Sequence, residues 1–528
     1  MRPSRADLRL APASLAAWAT ALVVVVLPVG VAVELGCAAG AGAIVVGAWA
    51  AVRRSSRSRS GAVGHALLLL AAVTAVALPG AAQLAVRESG LLAALVDQRA
   101  TVRVVGTVRS EPVPVVSPVG WSRSGARYRL ELGVEQISGR GRSGSAAAPV
   151  LVLGGPAWAR ISYGARVEAT GRLASLPPGE VAMALLAARG APRPVDPPGA
   201  VDRTVRRIRV ALLAATERLH PDPRGLVPGI AVGDTSRLPA DLGTAMRVAG
   251  LTHVTAVSGA HFAILGEAVL GLTGLVGLSR RTRMGVVSAV MVGFVFLVHP
   301  EPSVLRAAAM GALGVGGLAL GRPSRALPAL GATVIALLVV DPWLARSFGF
   351  ALSVLATAGI VLLTVPVAAG LARAMPERLA HAIAVPLAAQ SACAPVIVLL
   401  TPNVSTYAVP ANLLAAPALV PATVAGVLAA LVAPWWASGG VVLAQVAGWA
   451  ASWIAWVARI CVGLPSAQLP WPGGLGGAGL LAALTVAAGV VVAHRDRIPA
   501  WASGLDRGRR RGHRRGRHRE GGERAPVP

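Results

Sequence analysis

Long apolar runs dominate the chain, and their lengths predict most of its elements. Spans are expected near Leu15–Val31, Leu35–Val52 and Gly64–Ala82, since ~20 apolar residues cross a bilayer. More follow near Gly285–Val298, Val304–Leu320, Ala326–Val340, Phe348–Ala368, Leu379–Leu400, Val409–Val432, Val441–Val462 and Leu475–Val492. Between these groups the pattern changes. From about Gln98 to Ala174, apolar and polar residues alternate in TVRVVGTV (Thr101–Val108), RYRLELGVEQI (Arg127–Ile137), PVLVLG (Pro149–Gly154) and RVEATGRL (Arg166–Leu173). Alternation bounded by Gly, Pro and Ser predicts short antiparallel strands, and four or five of them suit a small barrel of the OB type. A Pro-rich link (Pro177–Pro198) leads to a basic amphipathic run, Thr204–Leu219, expected to lie along the membrane surface.

The fold class is therefore a polytopic α-helical membrane protein of about 11–12 spans with an inserted all-β OB-like domain. The expected units are N-terminal transmembrane helices (1–97), the extracytoplasmic β domain (98–175), a linker with its amphipathic helix (176–222), a transmembrane domain (223–493) and a basic tail (494–528).

One run departs from its neighbours. GLTHVTAVSGAHFAILGEAVLGLTGLVGL (Gly250–Leu278) is long and apolar enough to cross, yet it contains His253, Thr255, Ser258, His261 and Glu267. Read as one helix with His253 at zero, His261, Ser258 and Glu267 fall near 80°, 140° and about −40°. Four polar side chains would then share half of the surface. Such groups are costly in hydrocarbon, so the run is expected to line something wet. Gly259 either breaks the helix or admits close backbone approach. Upstream, Gly233–Asp234 reads as a turn in which Asp234 caps the following helix. Later spans carry Pro395, Pro402, Pro410, Pro417 and Pro421, expected to interrupt helices that border a cavity.

Composition adds charge to this picture. Of the 528 residues 55% are hydrophobic and only 14% charged, yet the net charge is +27, all fifty basic residues being Arg. Anionic partners follow: membrane lipids, nucleic acid or both. Arg2, Arg5 and Arg9, the loop Arg53–Ser60, the loops Ser279–Arg283 and Gly321–Arg325 and the Arg-rich tail are expected on the cytoplasmic side. Residues 98–174 hold eleven Arg against four Glu, a net of +7. With Arg103, Arg127 and Arg129 stand Trp121, Tyr128, Trp158 and Tyr163, a basic, aromatic-bearing surface of the kind that binds single strands. A charged solvated surface over core aromatics fits the same residues. Cys37, Cys393 and Cys461 form no metal or disulfide spacing and read as buried hydrophobes.

The run GLTHVTAVSGAHFAIL (Gly250–Leu265) resembles the signature of the ComEC-type competence channel family. Gly233–Asp234, PSVLRAAAM (Pro302–Met310, including Ser303), Asp341–Thr357, Gln390 with Pro395, and NLLAAP (Asn412–Pro417) follow in that family's order. The resemblance covers the chain up to about Val492. It implies an inner-membrane channel that conducts one strand of transforming DNA into the cytoplasm, with an extracytoplasmic DNA receptor and a cytoplasmic helicase-like motor as partners. Many relatives continue into a metallo-β-lactamase-like domain with an HxHxDH motif; this chain has no such motif, so nuclease activity is not expected.

A DNA path needs positive charge and hydrogen-bond donors that release as readily as they bind. His253, Thr255, Ser258, Gly259, His261 and Glu267 are the candidate lining, with Arg306 as a phosphate contact or partner of Glu267, and Gln390 and Asn412 as lining or inter-helix glue. His253 and His261 lie eight residues apart with Glu267 six further on, which is not metal-ligand spacing, and neither metal nor cofactor is expected. Ser258 and His261, at i and i+3, have the reach of a nucleophile and its base. An intramembrane hydrolase is thus one alternative, and a carrier of another anionic substrate a second. No GxxxxGK[ST] loop is present to supply ATP energy.

Overall fold

A computed structural model of the chain describes residues 7–52, 60–115, 126–299, 302–319 and 326–494. Three helices open it, α1 (Ala11–Val24), α2 (Val29–Val52) and α3 (Ser60–Glu88), followed by a short α4 (Leu91–Asp97). The first span ends seven residues earlier than its apolar run, because Pro28 cannot continue the helix and a turn intervenes before α2.

The β domain is built of β1 (Thr101–Val108), β2 (Val113–Val115), β3 (Arg127–Gly139), β4 (Arg142–Gly154), β5 (Arg166–Ser175), β6 (Ala184–Ala188) and β7 (Arg193–Asp196). β1 pairs with both β3 and β5, β3 with β4, β4 with β6 in parallel, and β6 with β5. Five strands thus close in the order β1-β3-β4-β6-β5, an OB-like barrel around Val102, Val104, Leu130, Leu132, Val150, Val152 and Leu186. The domain reaches residue 196, beyond the expected boundary at 175. What reads as a Pro-rich link contains two strands: β6 is an apolar ALLAA run with no alternation to betray it, and β7 holds an edge, where Pro194 is tolerated.

Then come α5 (Ala200–Ala215), α6 (Pro221–Val232), α7 (Ala240–Val248), α8 (Gly259–Leu275), α9 (Arg280–Val298), α10 (Pro302–Ala319), α11 (Ala326–Val340), α12 (Phe348–Leu371) and α13 (Glu377–Leu400). The last part holds β8 (Asn403–Ser405), α14 (Ala408–Val432), α15 (Ala437–Gly463), β9 (Gln468–Pro470) and α16 (Gly474–His494). Among the described residues seven of these helices, α2, α3, α9, α12, α13, α14 and α15, are long and apolar enough to cross a membrane, and α1, α8, α11 and α16 are shorter and apolar. The chain is a polytopic helical membrane protein. The prolines of α13 (Pro386, Pro395) and α14 (Pro417, Pro421) sit inside continuous helices, so the expected interruptions do not occur there.

α6, α7, α14 and α15 share one core of Leu226, Ile230, Leu242, Met246, Ala415 and Ile454. The Arg459 guanidinium of α15 binds both Asp222 of α6 (2.7 and 2.8 Å) and Asp241 of α7 (2.8 Å), fixing the starts of both short helices. α5 lays Val205, Leu212 and Ala215 against this bundle and is packed into the protein along that face. Cys393 and Cys461 are buried as expected, whereas Cys37 is exposed on the outer surface of α2.

Candidate functional site

The stretch expected to be one polar-lined helix is broken. α7 closes at Val248, Gly250 adopts φ 70° with Ala408 packed against it, and a 3-10 turn covers Thr252–Val254. Ser258 is extended (φ −126°, ψ 174°), and α8 begins at Gly259. A helical projection therefore applies only from Gly259 onward. His261 and Glu267 fall on different sides of α8, the first fully buried and the second exposed. His253, Thr255 and Ser258 belong to the turn and loop before it.

The break makes a helix N-terminus inside the transmembrane domain. Ser258 caps it: its backbone N–H donates to His261 Nδ1 (3.1 Å), and its Oγ lies 3.2 Å from the same nitrogen. This is a capping box with His where Glu or Gln is usual. Since Nδ1 accepts a backbone N–H, the ring hydrogen of a neutral His261 is on Nε2. That atom is buried without a partner. The same geometry argues against the hydrolase alternative, because Nδ1 is committed to the cap. Beside it lies Arg306 of α10, buried, with Nη2 3.5 Å from where a Cβ on Gly259 would stand. Its Nη1 reaches Thr357 Oγ1 (3.3 Å) and Met310 Sδ (3.2 Å), and its Nε has no acceptor among the described residues. Among the described residues no carboxylate pairs with Arg306, so the expected Arg306–Glu267 pair does not form.

A cavity of about 190 Å³ adjoins the break, lined by Gly233, Thr235, Thr252, Thr255, Ala256, Val257, Val298 and Val304. The Thr255 hydroxyl donates to the Thr252 carbonyl (3.0 Å). His253 is exposed and does not line this cavity. Along α8, Ala260, Ala263, Glu267 and Gly271 are exposed and fall within about 80° of one another. A carboxylate on such a face belongs against water, since a charge in lipid costs about 2.5–3.5 kcal/mol.

The cavity's rim is fixed by a buried cation that the sequence reading did not single out. Arg209 of α5 donates from Nη1 to the carbonyls of Val232 (2.6 Å) and Leu297 (3.3 Å), which end α6 and α9. Its Nη2 binds Glu111 of the β domain (2.7 Å) and lies 3.6 Å from Asp234. Asp234 is not the cap of α7, whose N-cap is Pro239; it accepts from the Ser236 N–H (3.0 Å) and faces Arg209, while Gly233 ends α6 at φ 73°. His299 joins from the other side, 3.7 Å from Glu111 and stacked on Tyr163 with ring centroids 4.1 Å apart. Burial, and then the Arg209 charge, push the His299 pKa down to about 4 against an opposing pull from Asp234.

The remaining candidates scatter. Asn412 is glue, donating to the carbonyls of Ala408 (2.7 Å) and Gly250 (3.4 Å). Gln390 is half-buried on α13, which packs chiefly on α12, α14 and α16. Ser303 falls in the first turn of α10, its side chain outside the described part, and Pro417 lies within α14. In the β domain Trp158 is core, its Nε1 donating to the Gly190 carbonyl (3.2 Å), and Tyr128 packs against that core. Tyr163 is engaged by His299. Arg127 and Arg129 are exposed on one face of β3, Arg103 pairs with Glu168 (3.6 Å), and Trp121 lies outside the described residues. The aromatic half of the expected strand-binding surface is thus largely spent on packing. His253, His261 and Glu267 do not gather: among the described residues no three His, Cys, Asp or Glu converge as a metal site.

A profile of the competence protein family matches residues 230–496, which takes in the break, α8 and Arg306. The chain belongs to that family. It is also similar to ComE operon protein 3 of Bacillus subtilis (strain 168), 28% identical over 214 residues, 40% of this chain and 27% of the relative. The alignment therefore spans little more than a quarter of that relative's length. No solved structure matches this competence-family chain.

Proposed function

We propose that the protein is a cytoplasmic-membrane channel that conducts single-stranded DNA inward during natural competence, with an extracytoplasmic DNA receptor and a cytoplasmic motor working on either side. The observation that carries this reading is the α8 break. Within the family-matched region it sets hydrogen-bond donors and a cation near a cavity, and α8 beyond it carries Glu267 on an exposed small-residue face. A strand carries one negative charge per nucleotide, so its path must offer positive charge without a deep well. The exposed Ala260, Ala263 and Gly271 leave room for a backbone to slide, and the Glu267 carboxylate repels phosphate, which keeps the strand from settling. The β domain supports the reading as a gatepost at the cavity rim, through Glu111 and Tyr163, rather than as a stacking platform.

The test is uptake of labelled DNA by a strain lacking the gene and by its complement. Loss of internalised label on deletion, with binding at the cell surface retained, is expected. A deletion strain that internalises and integrates DNA as the parent does refutes the proposal.

A further inference from the structure

The described residues around the start of α8 hold hydrogen-bond donors in excess of acceptors. The N–H groups of Gly259 and Ala260 lie in the first turn, where no intrahelical acceptor exists. His261 Nε2, fixed as a donor by the bond at Nδ1, is buried and has no acceptor among the described residues. Arg306 is 4% exposed and, among the described residues, has no partner for its Nε and no carboxylate, while its Nη2 lies against Gly259. A buried cation without a counter-charge is costly, and so is each buried donor left unmade. Arg306, from another helix, meets the N-terminus of the 17-residue α8, and the two together describe an anion's surroundings without the anion. The positive end of the helix dipole adds to them. Access exists, because Gly259 is half-buried and Ala260 exposed, and the cavity wall includes Val257, next to Ser258, and Val304, two residues before Arg306.

We infer that the start of α8, with Arg306, is an oxyanion site that takes one phosphodiester group of the translocating strand. This rests on the channel reading above and adds a subsite to it. Phosphate suits the donor set: a planar guanidinium and convergent N–H groups match its tetrahedral oxygens. One cation, rather than the several used by high-affinity phosphate sites, suits a group that must let go. The same chemistry is offered by a lipid headgroup, which the test separates.

The experiment uses the full-length protein in detergent, its unfolding followed by tryptophan fluorescence in inorganic phosphate and in chloride of equal ionic strength. Phosphate is expected to raise the unfolding temperature of the wild type. Arg306→Gln removes the cation, and Ala260→Glu places a tethered carboxylate at an exposed position on the helix start, where it is compatible with folding and with the dipole. Both are expected to weaken phosphate about tenfold or more, the loss of a charge-assisted contact. Equal unfolding temperatures in the two salts, or an undiminished phosphate effect in Ala260→Glu, overturn the site. A second arm adds oligothymidylate with phosphodiester or with methylphosphonate linkages, or phosphatidylglycerol. Competition by the phosphodiester strand alone supports the assignment, and competition by the lipid alone overturns it. If phosphate binds as described but the deletion strain takes up DNA normally, the channel reading falls while the oxyanion site stands.

Discussion

Arg209→Met is the substitution whose cost the structure defines best. Methionine keeps the length and the apolar stem but removes every donor. Glu111 is 42% exposed and recovers water, so losing that pair costs at most about 1 kcal/mol. Asp234 is different: its side chain is 9% exposed, and without Arg209 it is a nearly sealed carboxylate. Breaking a buried pair from one side costs about 3–5 kcal/mol. The carbonyls of Val232 and Leu297 lose a charged donor at two helix ends, where a cation is favoured. The expected total is about 3–5 kcal/mol, dominated by Asp234. Adding Asp234→Asn removes that stranded charge while its carbonyl can still accept from Ser236. The double variant should therefore be more stable than the sum of the single losses predicts, by at least about 1 kcal/mol. Denaturant unfolding of the four proteins in one detergent, read by tryptophan fluorescence, measures this. Additive losses, or a single variant within about 0.5 kcal/mol of wild type, would show that Arg209 and Asp234 are not energetically joined.

Three further outcomes are expected. His299, ringed by Glu111, Arg209, Asp234 and Tyr163, has a folded pKa of about 4, below the ~6.5 of a free histidine. The unfolded chain therefore takes the proton first, so this group's contribution is complete above about pH 6.5 and is lost as pH falls toward 4. Thermal unfolding between those values should show His299→Gln losing less stability than wild type; identical profiles would refute it. Gly225→Ala drives a Cβ into the backbone of Arg237 and Leu238, which has no room to move inside the α6–α7 turn, and should lower membrane abundance and cost about 2 kcal/mol or more. Gly259→Ala, by contrast, meets only Arg306 Nη2 at 3.5 Å and Ala307 at 4.0 Å, both ordinary contacts. It should leave the unfolding temperature within a degree or two of wild type, and a large drop would mean that the helix start is tighter than described.

What the sequence disclosed follows from which interactions are local. The barrel strands were legible wherever one face meets water, as in β1 and β5, because burial alternates with the pleat. β6 was not, since ALLAA between turns lacks that alternation and is held by β4 and β5, distant in sequence. The polar run was correctly singled out as unusual, but its helical projection failed. Gly250 at positive φ and Ser258 before Gly259 are the start and stop signals of two helices, and Ser-x-x-His at 258–261 is a capping box with its acceptor disguised. Arg209 had a readable signal too. It lies four residues after Val205 and three before Leu212, on the stripe that α5 buries, where an arginine needs partners from elsewhere. Its partners Glu111, Asp234 and the carbonyls of α6 and α9 come from four other segments, and no pattern along the chain announces them.

Arg209 and Arg306 together show why burial alone does not mark a ligand site. Both are arginines removed from water near one cavity, and both must be compensated. Arg209 is compensated within the fold, by two carboxylates and two carbonyls, and the result is a joint between the β domain and the helices. Arg306 has a hydroxyl and a thioether, neither carrying charge, and its Nε has no hydrogen-bond partner among the described residues. Supplying the missing charge internally is therefore informative. A Thr357→Glu variant places a carboxylate within reach of Arg306 from α12. If the cation is merely unpaired, this pair stabilises the protein and DNA uptake is unchanged. If the cation is kept free for passing phosphates, the variant is equally well folded and uptake falls. Unfolding temperature and internalised label, measured on the same strain, separate the two, and a stable variant with wild-type uptake would return Arg306 to a purely structural part.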